Sequence, residues 1–401
     1  MQTNKFSHHL KYTCMCNNCS IRNPIHCIIP PYMVDKIEVA GATKRSLFEG
    51  SVNTKFNAEL FRKKRTLLTE MNGKQMKAVL TTSVGNLVQA LAPAKTAAKT
   101  SKAGKKAPKL KPKRMVYDAK NTNDQKDLPG KLMRKEGQKP VKDKDVNNIY
   151  DNCGHTWDFY YNEFKRNSVD GKGLPLINSV HFGTNFGNAF WEGTQMVYGD
   201  GDEVFKSFTT DIDITGHELT HGVVQYEASF EYVAQSGAIN ESMADVFGIM
   251  VRQMTLGEDA GSSDWLIGRT CMRGTGYALR SMKEPGAAFK NHPILGNDPQ
   301  PGHMKDYATL PNTRNGDYGG VHINSGIPNH AFYLTAVELG GKPWLAAGKI
   351  WYQALCDETL LNSTSQFTDL ANATTVKAGT LFGAGSAQEK AVKKAWKAVG
   401  L

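Results

Sequence analysis

The pentapeptide His217-Glu218-Leu219-Thr220-His221 contains the clearest chemical pattern in this sequence of 401 residues. Residues four apart on a helix lie one above the other, so His217 and His221 could present two imidazoles to one metal ion. Glu218 could then reach a metal-bound water without being a ligand itself. A structural interpretation stays open, because Thr215-x-x-Glu218 also matches a capping box, in which the acid only ties down the first helical turn.

A pair of acidic residues follows the histidine pair, again with helical spacing. A turn at 235–237 is predicted to lead into a helix over 238–248, on which Glu241 and Asp245 share one face. A catalytic zinc ion needs three protein ligands and one open position, and the two histidines with Glu241 would supply the three. Asp245 is then placed to accept a hydrogen bond from a ligating histidine and to fix its tautomer.

The order and spacing of these motifs resemble the thermolysin family of zinc endopeptidases. Nineteen residues separate His221 from Glu241, as in that family, and the resemblance covers about residues 115–401. Three further segments resemble the family's substrate-binding edge strand, its arginine segment and its second catalytic histidine segment, namely residues 188–202, 279–282 and 317–326. The short leader containing Ile-Pro-Pro-Tyr-Met at 29–33 resembles the protealysin branch of the family.

The resemblance implies a neutral endopeptidase, made as a zymogen, in which a zinc-activated water attacks the peptide carbonyl. Glu218 would act as general base and then general acid. The remaining catalytic residues implied are the oxyanion donors Tyr232 and His322, with Asp317 orienting the histidine. The residues implied to hold the substrate backbone are Asn188, Ala189 and Arg280. The pocket for the residue after the scissile bond would be apolar, predicting cleavage before Leu, Ile, Phe or Val, and its lining would be Phe205, Phe208, Ile214, Ile267 and Leu279.

One departure from the family concerns calcium. Asp213 and Asp264 match the family's double calcium site, but Arg252 and Arg269 stand where acids are expected. Because a cation among the ligands disfavours calcium, we expect Arg252 to pair with the two aspartates instead. The sequence therefore predicts at most weak calcium dependence.

The charge is divided sharply along the chain. Residues 1–114 carry 22 basic and 5 acidic side chains, a net of +17, whereas residues 115–401 carry 27 and 33, a net of −6. The Lys/Ala/Pro-rich segment 91–114 cannot bury a core and is predicted to be a flexible linker. We expect residues 1–114 to inhibit the enzyme intramolecularly, through an extended Pro30-Pro31-Tyr32 segment, and the linker to be cut near Arg114-Met115.

The first ninety residues are predicted to be a propeptide with a cysteine-rich extension. Cys14, Cys16, Cys19 and Cys27 could bind a metal with His26 or be free thiols. The first thirty residues lack the apolar stretch of a signal peptide, and no apolar run of 18–20 residues occurs. We therefore expect cytoplasmic synthesis, any secretion by a non-classical route, no membrane partner, and a monomer.

The distribution of elements predicts an α+β protein with the two-lobed zincin (gluzincin) fold. Short alternating runs in 115–210 indicate strands, and helical periodicity dominates 212–400. We expect a β-rich lobe at 115–221, ending in the active-site helix between the lobes, and a mainly helical lobe at 222–401.

Two alternative functions remain from the sequence. An aminopeptidase of the gluzincin type would share the zinc site, but that type has eighteen residues in the spacer and a Gly-x-Met-Glu-Asn motif that is absent here. A basic protein that binds nucleic acid would use the lysine-rich tail. The second alternative leaves the motifs of 212–326 unexplained.

Overall fold

The computed structural model describes residues 26–41, 51, 54–55 and 110–401. The extension with Cys14, Cys16 and Cys19, and nearly all of the predicted linker, lie outside these residues. Cys27 is described, and its side chain is buried in a cluster of phenylalanines. Within the described ranges, no helix is long and apolar enough to cross a membrane.

A six-stranded mixed sheet forms the first lobe. Its spatial order is β1-β5-β6-β4-β2-β3, with β2, β4 and β6 running parallel and the other neighbours antiparallel. Strand β1 comes from the leader and extends the sheet beside β5. The strands are β1 His26–Cys27, β2 Arg114–Asp118, β3 Lys131–Lys135, β4 Leu176–Val180, β5 Ala189–Trp191 and β6 Met196–Tyr198.

Helices dominate the rest of the described residues, which confirms the α+β prediction. The leader contributes α1 (Pro31–Gly41), and α2 (Lys144–Phe164) packs on the sheet. Two long helices, α3 (Ile212–Tyr226) and α4 (Ala234–Leu256), carry the metal-binding motifs. The short strands β7 (Leu266–Ile267) and β8 (Arg280–Ser281) pair with each other. The remaining helices are α5 Asp317–Asn324, α6 Gly326–Leu339, α7 Ala347–Leu355, α8 Phe367–Phe382 and α9 Ala387–Ala398.

Helices α3 and α4 cross where each has a glycine. A Cβ atom on Gly216 would lie 3.0 Å from Gly248 Cα, and one on Gly248 would lie 2.6 Å from the carbonyl oxygen of Asp213. Larger residues would therefore force the two backbones apart. This close approach places the histidines of α3 beside the acids of α4.

The start of α4 differs from the prediction. The helix begins at Ala234, so residues 235–237 form its first turn rather than a separate turn. Gly237 is needed for packing, because a Cβ atom there would lie 2.4 Å from Val321 Cγ1. The glycine that suggested a break therefore marks a helix contact instead.

The leader and the linker also differ from the prediction. The strand of the leader ends at Cys27, and Pro31 begins α1, a position that suits proline because its fixed φ and missing N–H fit the first helical turn. Arg114, expected at the end of the linker, begins strand β2. Its Nε donates to Glu136 at 2.7 Å, and its guanidinium lies over the ring of Tyr150. Cleavage at Arg114-Met115 itself would thus require a paired strand to detach.

Candidate active site

The first catalytic motif lies within α3, beyond its start. The helix begins at Ile212 after the N-cap residue Asp211, so Thr215 is not a capping residue. This excludes the capping-box interpretation of Glu218. His217, Glu218 and His221 are all fully buried, as metal-binding and catalytic groups beneath a cleft would be.

Three donor groups converge on one point between α3 and α4. Ligand atoms of His217, His221 and Glu241 lie within 4.8 Å of one another. His217 Nδ1 is 2.8 Å from Asp245 Oδ1, and His221 Nδ1 is 2.9 Å from Asn240 Oδ1. Both Nδ1 atoms therefore donate, which directs both Nε2 atoms toward the point that they share with Glu241.

The Nε2 atoms of His217 and His221 face each other at close range. The two Nε2 atoms are 3.0 Å apart, and a carboxylate oxygen of Glu241 lies 3.5 Å from each ring. When the rings are neutral and donate from Nδ1, their Nε2 lone pairs and the carboxylate repel one another unless a cation lies between them. Two imidazoles and one carboxylate are a donor set that suits zinc with one position open for chemistry.

Asp245 connects the metal site to Arg280. Nε and Nη2 of Arg280 each donate to Asp245 at 2.8 Å, and the amide of Asn329 donates to the same carboxylate at 2.8 Å. Burial alone would raise the pKa of Asp245, but Arg280 and the ring of His217 hold that pKa well below its usual value. Asp245 is thus an anion that orients His217.

His322 is fixed by a strained turn at the start of α5. Residues 317–320 all have φ between +52° and +85°, and Asp317 and Tyr318 among them are not glycine. This turn lets Asp317 accept from His322 Nδ1 at 2.6 Å and from the His322 and Ile323 amides at 2.8 and 3.1 Å. The Tyr232 hydroxyl lies 3.0 Å from His322 Nε2 and also donates to Glu241.

The protonation of His322 follows from these contacts. Burial would lower the pKa of His322, but Glu241 and Asp317 raise it above its ordinary value. Both ring nitrogens can then donate, Nδ1 to Asp317 and Nε2 to an oxygen in the cleft. The arrangement suits a donor to a developing oxyanion.

The leader lies in the cleft as an added strand. Strand β1 pairs antiparallel with β5, and the amide of Ile28 donates to the carbonyl of Ala189 at 3.2 Å. The amide of Ile29 donates to Asn188 Oδ1 at 3.2 Å. Arg280 Nη1 donates to the carbonyl of Ile28 at 3.1 Å, and His322 Nε2 donates to the carbonyl of Cys27 at 3.0 Å. The side chains expected to hold a substrate thus hold the leader.

Helix α1 continues the leader across the catalytic body. Arg314 pairs with Asp35 at 2.6 Å, and Lys36 Nζ donates to the carbonyl of Leu295 at 2.5 Å. Lys55 pairs with Glu38 at 2.9 Å within the leader. These polar contacts anchor the segment that follows Pro30.

The structure also places the five residues predicted to line the apolar pocket and the arginines at the positions where the family has calcium ligands. The five pocket residues are fully buried and share one cluster with Ile28: Phe205, Phe208, Ile214, Ile267 and Leu279. Arg252 is bonded to Asp264 and lies 3.6 Å from Asp213, and Arg269 meets Asp264 at 2.8 Å. Burial raises the pKa of Asp213 to about 7, with Asp211 adding to the rise and Arg252 opposing it.

Two residues of the site were not foreseen from the sequence. Asn240 orients His221, and Asn329 on α6 supports Asp245. Asn240 directly precedes the ligand Glu241, so its position on the helix was a usable signal. Asn329 had none, because only the packing of α6 against α4 brings it to the site.

The comparisons with known proteins agree with this geometry. Residues 94–225 match the family described as thermolysin metallopeptidase, catalytic domain, and residues 228–401 match its alpha-helical domain. An extracellular metalloprotease of Pectobacterium carotovorum subsp. carotovorum is 51% identical over 250 residues, which are 62% of this chain and 70% of that protein. Protease PrtS of Photorhabdus sp. (strain Az29) is 48% identical over 291 residues, covering 72% and 76%.

A solved structure extends the similarity into the leader. The precursor of protealysin, a metalloproteinase from Serratia proteamaculans, matches with a TM-score of 0.75 and 40% identity. The match covers 94% of this chain and 99% of that one. The comparisons give no support to the aminopeptidase or the nucleic-acid-binding alternative. The chain belongs to the thermolysin family of metallopeptidases, and it is a protealysin-like neutral metalloendopeptidase.

Proposed function

We propose that this chain is a zymogen of a zinc-dependent endopeptidase that cuts peptide bonds before apolar residues. One observation carries the proposal: a peptide segment lies in the cleft with its backbone held by Asn188, Ala189, Arg280 and His322, directly beside the converging metal ligands. A bound zinc ion, held by His217, His221 and Glu241, would supply Lewis acidity to the scissile carbonyl and the attacking water.

The chain's own residues would manage protons and charge. Glu218 would take a proton from the attacking water and deliver it to the departing amine. His322 and Tyr232 would donate to the oxyanion, with Asp317 holding the imidazole in place. Arg280 would fix the next carbonyl along the substrate, so that the peptide cannot slide along the edge strand.

Specificity would come from the apolar pocket. An apolar side chain after the scissile bond would be buried among Phe205, Phe208 and Leu279, whereas a charged side chain there would lose its hydration without a partner. We therefore infer cleavage before Leu, Ile, Phe or Val. A peptide-library profile dominated by charged residues at this position would contradict the inference.

The leader would be the intramolecular inhibitor. Residues 28–41 cover the cleft and are joined to the catalytic domain through a segment rich in lysine and alanine, in which we expect the activating cut. The extracellular relative supports the proposal that the mature enzyme works on protein substrates after secretion, and we propose that it does so as a monomer.

Arg252 would replace calcium behind the active-site helices. Its guanidinium neutralises Asp213 and Asp264, the two acids that match the family's double site. We propose that these residues form a metal-free ion-pair cluster rather than a calcium site.

The test of the proposed function uses the full chain, its Glu218→Gln variant and a surface control, Glu358→Gln, at an exposed residue. Each protein is supplied with zinc and assayed on casein and on a peptide with a blocked N-terminus. We expect the parent and the control to shorten themselves and cleave both substrates, and Glu218→Gln to do neither. Equal behaviour of parent and Glu218→Gln would overturn the proposal, and failure on the blocked peptide alone would favour an aminopeptidase.

A further inference from the structure

We propose that the zymogen hydrolyses its own Cys27–Ile28 peptide bond and that the new N-terminus at Ile28 stays in the cleft as a bound product. This inference rests on the proposed endopeptidase function. It assigns residues 1–27 to a first, separate processing step that does not by itself release activity.

The carbonyl of Cys27 occupies the position of a carbonyl under attack. It accepts a hydrogen bond of 3.0 Å from His322 Nε2, and that nitrogen lies 3.0 Å from the Tyr232 hydroxyl and 3.6 Å from Glu241 Oε1. The oxygen is therefore held by His322, a proposed oxyanion donor whose Nε2 is itself close to Tyr232 and to the metal ligand Glu241. In an endopeptidase the carbonyl at this position belongs to the bond that is broken.

The residues after Cys27 continue in the register of a substrate. The nitrogen that would leave, Ile28 N, donates to the carbonyl of Ala189. The carbonyl of Ile28 accepts from Arg280, and the amide of Ile29 donates to Asn188. Each group proposed to bind a substrate backbone thus has its counterpart on the leader.

The side chain after the bond also matches the proposed specificity. Ile28 is fully buried and belongs to the same apolar cluster as the five pocket residues. The leader thus places an apolar residue directly after the bond and runs antiparallel to the edge strand β5, so the geometry points to a substrate.

The chemical step needs only water. The water oxygen bonds to the carbonyl carbon of Cys27 while the bond from that carbon to Ile28 N breaks. Glu218 takes a proton from the water and passes it to Ile28 N. The products are a carboxylate on Cys27 and an amine on Ile28, which is protonated in neutral solution.

The contacts explain why the second product would stay bound. The hydrogen bonds of Ile28 and Ile29 and the pairing of Asp35 with Arg314 all lie on the C-terminal side of the cut. Lys36, bonded to the carbonyl of Leu295, lies on that side as well. The cleft therefore remains covered after residues 1–27 leave, until the leader is also separated from the catalytic domain.

The experiment follows the full chain after zinc is added, by intact mass and N-terminal sequencing, with casein activity measured in parallel. We expect a first-order cut giving Ile28 as the N-terminus, at a rate independent of protein concentration and ahead of casein activity. Ile28→Asp should slow this cut about 100-fold, because it places a charge in the pocket. The control Val39→Asp, at a residue of α1 with 76% of its surface exposed, should be cut at the parental rate.

A second measurement is independent of turnover. In the Glu218→Gln variant, which should hold the bond uncut, hydrogen exchange at Ile28 and Ile29 should be slow, and adding Ile28→Asp should make it fast. An active enzyme on casein whose Cys27–Ile28 bond stays intact, or fast exchange at Ile28 in Glu218→Gln, would overturn this inference alone. Absence of casein cleavage after the leader is removed would overturn the proposed function as well.

Discussion

Histidine serves two different purposes in this protein at the scale of single residues. In the metal site the Nδ1 atoms are held by Asp245 and Asn240 so that the Nε2 atoms face Glu241, whereas His181 is held as a cation between two carboxylates. His181 Nδ1 lies 2.7 Å from Asp200 and its Nε2 lies 2.9 Å from Asp143, the N-cap residue of α2. Hydrogen bonding to Asp200, and then to Asp143, raises the pKa of His181 to about 9 against the effect of burial. The imidazolium thus ties α2 to the turn after β6.

This tie predicts a pH-dependent stability. Because the pKa of His181 rises on folding from about 6.5 to about 9, its stabilisation is fully present below about pH 6.5 and is lost as the pH rises through 9. Allowing for solvent screening, we expect about 1–2 kcal/mol. His181→Asn keeps a residue suited to the left-handed backbone found here, at φ 56°.

Urea denaturation of parent and His181→Asn should differ at pH 6 and converge by about pH 10. A difference that stays constant across this range would show that the charge of His181 contributes nothing.

Single residues also show how far the sequence could predict the site. His217, His221, Glu241 and Asp245 were predictable because the i, i+4 spacing puts each pair on one face of its own helix. His181 and Asn329 were not, because a histidine between two acids or an amide behind a carboxylate is defined only by tertiary packing. The pairing of Arg252 with Asp264 was predictable because an arginine stands where the family has acids.

At the scale of elements, the crossing of α3 and α4 controls the metal site. Gly248→Ala would place a methyl group 2.6 Å from the carbonyl oxygen of Asp213 and 3.0 Å from the amide nitrogen of His217. We expect the helices to separate, at a cost of about 1–3 kcal/mol in the free energy of unfolding. Zinc affinity should fall about tenfold, because Glu241 moves away from the histidines.

The matched control is Gly379→Ala in α8, where the nearest atom to an added Cβ is 3.6 Å away. Alanine there should raise the free energy of unfolding by about 0.5–1 kcal/mol and leave zinc affinity unchanged. Chelator competition measures the affinity and urea denaturation the stability. A Gly248→Ala variant that bound zinc as tightly as the parent would contradict the prediction that the close crossing of α3 and α4 determines zinc affinity.

Arg252 links α4 to the segment around β7, and its removal makes a separate prediction. Arg252→Met leaves Asp213 and Asp264 without their buried cation, and we expect a loss of about 3–5 kcal/mol in the free energy of unfolding. Arg269→Met removes an exposed partner of the same Asp264 and should cost less than about 1 kcal/mol. A chelator selective for calcium should leave the parent's melting temperature unchanged. A large fall in that temperature would refute the proposal that Arg252 takes the place of calcium.

Two helix starts, those of α4 and α1, show where the sequence patterns gave the wrong local structure. The predicted turn at 235–237 is helical because glycine there serves a contact with Val321 rather than a bend. The leader changes from strand to helix at Pro31, and a pair of prolines is compatible with both an extended segment and a helix start. Local composition could not distinguish these two conformations, because the packing of the leader against the catalytic domain determines which one forms.

At the scale of the whole molecule, the change in net charge at residue 114, called the charge step below, separates the leader and linker from the enzyme. The leader and linker carry a net of +17 and the remainder a net of −6. We expect the full chain to bind a cation exchanger at pH 8 and the processed enzyme to bind an anion exchanger, because the basic segment has been removed. Processed, active enzyme that still binds the cation exchanger would contradict this assignment.

The charge step predicted two parts but not their boundary to the residue. Arg114 counts as basic sequence, yet it is fixed in the sheet through Glu136 and Tyr150. Composition describes a segment, whereas strand pairing and a side-chain partner decide where the folded body begins.

The strand-to-helix turn at Pro30-Pro31 also matters for drug design. Compounds that fill the cleft contact groups shared across the family, and selectivity among relatives is then difficult to obtain. A stapled peptide copying residues 27–41, with a non-hydrolysable bond between Cys27 and Ile28, would reach beyond the cleft to Arg314 and the carbonyl of Leu295. The zymogen's own leader thus provides a scaffold for an inhibitor whose contacts extend beyond the catalytic cleft.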